Sequence, residues 1–199
     1  KHQIKKILLI SPPQFQTSFI DLEILKNKRY FNYPPYGLGL LRKSLVDKGY
    51  DVKILDLNFE LLALSNTFMD DTKKLNSYMK QHEIKPSLNK NYLNYEYDEK
   101  SFKLSNSNII QAIYIEDLML PKLDETLKKF KPDIAGISCM FTMTHKRMLR
   151  IAQRIKYLCN DTVVFAGGVH PTSSAELILK EEKSIDFISL YEGDQSFPQ

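Results

Sequence analysis

The sequence predicts a three-layer α/β domain built on a five-stranded parallel sheet, and three observations carry that prediction. Short apolar runs alternate with stretches of helical period, the pattern of strands joined by crossover helices. One run, Val163-Val164-Phe165-Ala166, has no polar alternation, as expected of a strand covered on both faces. It leads straight into Gly167-Gly168-Val169-His170-Pro171-Thr172. That is a bare turn at the carboxyl end of a strand, the edge at which open α/β sheets bind ligands.

Lys5-Lys6-Ile7-Leu8-Leu9-Ile10-Ser11, stopped by Pro12-Pro13, reads as the first strand. A long mixed loop from Gln14 to Tyr33 follows, and loops in that position often carry function. Pro34-Pro35 opens a helix with Leu38, Leu41 and Leu45 on one face, and Gly49 ends it in the left-handed conformation. Gly37-Leu38-Gly39-Leu40-Leu41-Arg42 lacks the third glycine and the tight turn of a dinucleotide fingerprint. Gly37 and Gly39 are therefore expected to let the helix pack closely on the sheet. Asp51–Leu57 alternates as a second strand at or near an edge.

From 58 to about 117 the periodicity fails, and an insertion, part helical and part loop, is expected. Helical character begins at Phe59-Glu60-Leu61-Leu62 and returns between Met69 and Gln81, whereas 86–108 is rich in Asn, Tyr, Lys and Ser. Leu123, Leu127 and Phe130 then mark a helix face, with Asp124–Lys128 and Glu125–Lys129 as outward i,i+4 pairs. Lys131-Pro132 stops that helix. Asp133–Ser138 is a third strand, and Met148, Ile151, Ala152, Ile155 and Leu158 form the apolar stripe of the next helix. Its Lys146, Arg147, Arg150, Arg154 and Lys156 are expected to form a solvated basic face. After the glycine strand, Ser173 and Glu176 spell a capping box for a further helix. Ile185–Leu190 is the fifth strand. Right-handed crossovers make 2-1-3-4-5 the economical order, a flavodoxin-like (Rossmann-like) arrangement.

Composition narrows the function classes. The chain has 199 residues, enough for one large domain, and its net charge of +4 is too small and dispersed to indicate a nucleic-acid surface. No apolar run approaches membrane-spanning length and no signal peptide is visible. Two cysteines, Cys139 and Cys159, cannot frame a metal or cluster site, and a reducing, cytoplasmic compartment is expected. The first residue, Lys1, and the ending Ser196-Phe197-Pro198-Gln199 suit a piece of a longer protein.

Ser138-Cys139-Met140 after the third strand faces Gly167-Gly168 after the fourth, and together they resemble the Ser-x-Leu and Gly-Gly portions of cobalamin-binding domains, with Met140 replacing leucine. Pro35-Tyr36-Gly37-Leu38-Gly39, Ala166–Thr172 and Glu192-Gly193-Asp194 extend the likeness to the amino-terminal domain of cobalamin-dependent radical S-adenosylmethionine enzymes. It covers nearly the whole chain outside residues 58–117. The resemblance implies a cobalamin slot drawn from Ser11 and Pro12, from Ser138, Met140, Phe141 and Thr142, from Gly167, Gly168 and His170, and from Glu192 and Gly193. Ser138 supplies a hydroxyl and the glycines a backbone without side chains, and His170 is placed to touch a corrin amide, line the slot or orient the turn. The Asp-x-His-x-x-Gly signature of methionine-synthase-like domains is missing; the first loop reads Ser11-Pro12-Pro13-Gln14-Phe15-Gln16. The cofactor is thus expected base-off, with no histidine beneath cobalt and its lower face on Met140, Phe141 and Thr142. In that family a barrel follows in cis, with a Cys-x-x-x-Cys-x-x-Cys motif for a 4Fe-4S cluster and S-adenosylmethionine. It would lie beyond residue 199. This chain alone is expected to catalyse nothing, and the intact protein to be a methyltransferase or related radical enzyme.

Rival readings are weaker. Receiver chemistry needs carboxylates, and a flavodoxin a phosphate loop, where Ser11-Pro12-Pro13 stands; a hydrolase needs a nucleophile elbow. The serious alternative is the same fold with an empty slot, acting as a docking or substrate-binding module.

Overall fold

The structure is a computed structural model and describes residues 4–14, 34–69, 72–85, 97–98, 103–104 and 115–191. Five strands, β1 (Lys6–Ser11), β2 (Asp51–Asp56), β3 (Ile134–Ser138), β4 (Val163–Gly167) and β5 (Phe187–Ser189), form one sheet. Every pairing is parallel and the order is 2-1-3-4-5. With helices on both sides, this is the flavodoxin-like α/β fold. The helices are α1 (Tyr36–Asp47), α2 (Leu57–Met69), α3 (Thr72–Gln81), α4 (Ile115–Phe130), α5 (His145–Leu158), α6 (Val169–Ser173) and α7 (Ala175–Glu181).

Strand position explains strand composition. β1 lies between β2 and β3, and from Ile7 to Ser11 it is wholly buried. β2 is an edge strand, with exposed Asp51 and Lys53 on either side of buried Val52 and Leu55 buried further along. On one face Ile7, Leu9 and Val52 close a core with Leu45 of α1, supported by Leu38 and Leu41. On the other, Leu8, Ile10, Ala135, Ile137, Val164 and Ala166 are buried, and α5 lies against β3 and β4. Burying one such branched side chain stabilises the fold by about 1.5–3 kcal/mol.

The chain divides into two compact units. One carries the sheet with α1, α5, α6, α7 and the part of α4 beyond Pro121. The other carries α2 from Phe59, α3, the start of α4 and a short antiparallel pairing of Tyr97–Asp98 with Lys103–Leu104. Of the irregular stretches, 15–33 and most of 86–114 lie outside the described residues.

Several local expectations change in three dimensions. The capping box does not form: the chain coils from Gly168 onward, so Ser173 already belongs to α6 and donates its hydroxyl to the His170 carbonyl at 2.9 Å. Helix α7 starts after Ser174 with no side-chain cap. Asp124 turns from Lys128 to the Arg154 guanidinium, Nε to Oδ1 at 2.8 Å, tying α4 to α5. The Glu125–Lys129 pair forms, at 2.7 Å. The basic face of α5 is only partly solvated. Arg147 is buried and donates to the Pro13 carbonyl, Arg154 holds Asp124, and Lys156 pairs with Asp186 at 2.6 Å. Gly37 and Gly39 face open space, where an added Cβ would meet nothing within 4 Å, so close packing is not their role. Strand β5 is shorter than Ile185–Leu190, although Ile185 is buried.

Candidate functional site

Side chains two apart along a strand share a face, and register decides which stand side by side. On the α1 face of the sheet, two rungs cross the strands near their carboxyl ends. The inner rung is Leu9, Gly136, Phe165 and Phe187, each paired with the next in register. The outer rung, two residues further along, is Ser11, Ser138, Gly167 and Ser189, with Ser138 beside Gly167 and Gly167 beside Ser189. One rung is apolar and the other rich in hydroxyls. Each has a glycine gap, and the gaps are diagonal neighbours.

The start of α1 roofs this surface. A cavity of about 580 Å³ opens between them, lined by seven residues of the two rungs together with Pro35, Tyr36, Gly37, Leu38, Leu41, Met140, Gly168 and Tyr191 among others. That volume lies in the range of small-molecule sites. Phe165 and Phe187 stack with centroids 5.0 Å apart, fixing the wall on the β5 side.

The two glycines of the turn do different work. A Cβ at Gly167 would sit 3.4 Å from that of Ser189, an ordinary contact. At Gly168 φ is 112°, and a Cβ would lie 2.7 Å from the Cys139 carbonyl oxygen. Here the strand-end loops cross and are laced together: Cys139 N–H donates to the Gly167 carbonyl at 2.8 Å, and His170 N–H to the Cys139 carbonyl at 3.3 Å. The Thr172 hydroxyl donates to the Gly168 carbonyl and accepts from Tyr191 N–H at 3.1 Å. Pro13 is held by Arg147, and Gln14 N–H donates to Asn58 Oδ1 at 3.1 Å.

His170 is buried beside this crossing. Its Nε2 lies 2.8 Å from His145 Nδ1, the rings meeting edge to face, and its Nδ1 lies 3.4 Å from the Thr142 hydroxyl. Burial, and then the charge of His145, lower its pKa below the ordinary histidine value. Among the described residues no cluster of three or more His, Cys, Asp or Glu surrounds the pair. Burial raises the Cys139 thiol pKa, and its Sγ lies 3.2 Å from the Thr144 hydroxyl.

Of the residues singled out in the sequence, Ser11, Ser138, Met140, Gly167 and Gly168 line the cavity. Pro12 is buried in the adjoining loop, Phe141 and Thr142 are exposed beyond Met140, and His170 turns to His145. Glu192 and Gly193 lie outside the described residues. Sequence reasoning missed Gly136 and Phe165, although each stands two residues before a residue it selected. It also missed the joining of His145 to His170, which no local pattern encodes.

The residues present suit a ligand with an apolar flat part and a polar part. The inner rung offers a flat apolar floor, the outer rung hydroxyls, and the glycines space for close approach. The B12 binding domain family matches residues 86–199, more than half of the chain. The chain belongs to that family. Strands β3, β4 and β5 of the B12-binding domain fall inside the match, while Ser11 and the roof of the cavity come from residues before it. An uncharacterized methyltransferase of Pyrococcus horikoshii is 31% identical over 84 residues, 42% of this chain and 18% of that protein. The chain therefore spans less than a fifth of that relative in the match. No solved structure matches it. Among the described residues, no helix is long and apolar enough to cross a membrane.

Proposed function

We propose that this chain holds cobalamin within a larger methyltransferase-like enzyme. The observation that carries the reading is the two-rung cavity, with hydroxyls outside, an apolar floor within and a glycine gap in each rung. Ser11, Ser138 and Ser189 would meet the polar stem of the nucleotide tail, Gly167 would admit that stem and Gly136 the base, and Leu9, Leu41 and Phe165 would enclose the base. Met140, with exposed Phe141 and Thr142 beyond it, would lie beneath the macrocycle. The crossing at Gly168 keeps these loops together, and the apolar inner rung would shield the bound base from water. Bound here, cobalamin supplies methyl-transfer chemistry at cobalt.

No histidine lines the cavity among the described residues, and His145 and His170 are turned to each other. With its base drawn into the cavity the cofactor would sit base-off, and with no histidine lining the site it would do so without a protein nitrogen on cobalt. Electron paramagnetic resonance of the cobalt(II) form should show no superhyperfine splitting from nitrogen, and such splitting would overturn this assignment. The finer reading, a radical S-adenosylmethionine enzyme with a 4Fe-4S barrel in cis, is supported by the motif likeness at Pro35–Gly39, Ala166–Thr172 and Glu192–Asp194. Full-length sequence should carry three closely spaced cysteines beyond residue 199.

The test of binding is retention. Incubated with hydroxocobalamin and desalted, the protein should keep the corrinoid's colour. Gly167→Leu should lose it by filling the outer gap, while circular dichroism stays that of the parent. A folded parent that keeps no colour would favour the docking-module reading.

A further inference from the structure

The inner rung is the part of the cavity whose chemistry is most restrictive. Leu9, Leu38, Leu41, Gly136 and Phe165 line it, and none brings a side-chain hydrogen-bond donor or acceptor. The backbone there has little to offer either. β3 is paired to both β1 and β4, and β4 to both β3 and β5, so the polar groups of Gly136 and Phe165 belong to sheet ladders. A flat ring can lie over Gly136 with its edge against Phe165, which Phe187 backs. An exocyclic amine on that ring would leave water and find no partner on this rung, the hydroxyls of Ser11 and Ser138 standing two residues further along their strands.

Resting on the reading that the cavity takes a corrinoid's nucleotide tail, we propose that the inner rung selects the lower base, accepting benzimidazoles and rejecting purines. Leu9, Leu41 and Phe165 are the residues that discriminate. The outer-rung hydroxyls meet the sugar and phosphate common to all complete corrinoids and contribute no preference.

The test compares four probes on the intact chain by absorbance titration: cobalamin, benzimidazolylcobamide, adeninylcobamide and cobinamide, which has no nucleotide. Cobalamin and benzimidazolylcobamide should bind within severalfold of one another, and the adenine form at least about tenfold more weakly. Cobinamide should be the weakest. Adenine leaves cobalt more readily than dimethylbenzimidazole in the free cofactor, so any cost of detaching the base works against this order. Leu41→Gln, on a helix at the cavity wall, places an amide beside the base and should narrow the gap between adenine and benzimidazole forms. Phe165→Gln is a second route to the same result. Equal affinity for the three complete corrinoids would overturn the selection while leaving cobalamin binding intact. A loss on removing the two methyl groups as large as that for adenine would overturn it too, since methyl burial would then explain the order. Cobinamide binding as tightly as cobalamin would show that the cavity is not the tail site, and no binding of any probe would refute the function on which the selection rests.

Discussion

At the scale of single residues, Gly167 and Gly168 look alike in the sequence and are constrained by different things. Gly168 holds a left-handed φ with its missing Cβ pressed on the Cys139 carbonyl. Gly168→Ala should therefore destabilise the domain by about 1–3 kcal/mol in urea unfolding, through backbone strain and displacement of the Cys139 loop. Gly167→Ala meets only an ordinary contact with Ser189 and should change stability by less than about 1 kcal/mol. His170 adds a pH dependence. Its folded pKa is depressed, first by burial and then by His145, from an ordinary 6.5. Below about that pH the unfolded chain takes up a proton that the folded chain refuses, so stability present above it is lost as pH falls toward the folded pKa. Unfolding free energies measured from pH 7.5 to 5 should fall for the parent, and His170→Gln should flatten that slope. An unchanged slope would show that the pair does not carry the effect.

Among the elements, the helices on the two faces do unequal tasks. α1 closes a core with Leu45 and then, from Leu41 back to Tyr36, lifts into the roof of the cavity. α5 covers the opposite face and sends its basic residues to neighbours: Arg147 to the loop after β1, Arg154 to α4, Lys156 to the edge of β5. The Asp124–Arg154 pair is two-pronged and partly shielded, whereas Lys128 stands exposed on the same helix. Asp124→Asn should lower stability by about 1 kcal/mol and Lys128→Ala by less than about 0.5 kcal/mol. Equal losses would restore the local i,i+4 pairing that the sequence suggests. The glycines of α1 carry a related lesson. A glycine near a helix start suggests tight packing, yet Gly37 lines the cavity with no neighbour that a Cβ would strike.

For the whole molecule, the sequence by itself determined the five strands, their parallel order and the sheet edge where the cavity opens. Those follow from local periods: apolar runs of strand length, helical stripes at 3.6, and breakers such as Pro12-Pro13, Gly49 and Lys131-Pro132. Ser138 and Gly167 could be placed together because each ends a strand, and strand ends share an edge in a parallel sheet. Only the tertiary structure decided which side chains meet across that sheet. Leu9, Gly136 and Phe165 stand in one rung because of two registers, one of them joining strands more than a hundred residues apart in the chain. Their apolar character alone gives no sign of it. The same is true of His145 reaching His170, of Arg147 buried against Pro13, and of Asp124 choosing Arg154 over Lys128. Local period sets the face a residue takes on its own element. Its lateral neighbour is set by long-range pairing and packing, and in this protein the chemistry of the cavity lies between such neighbours.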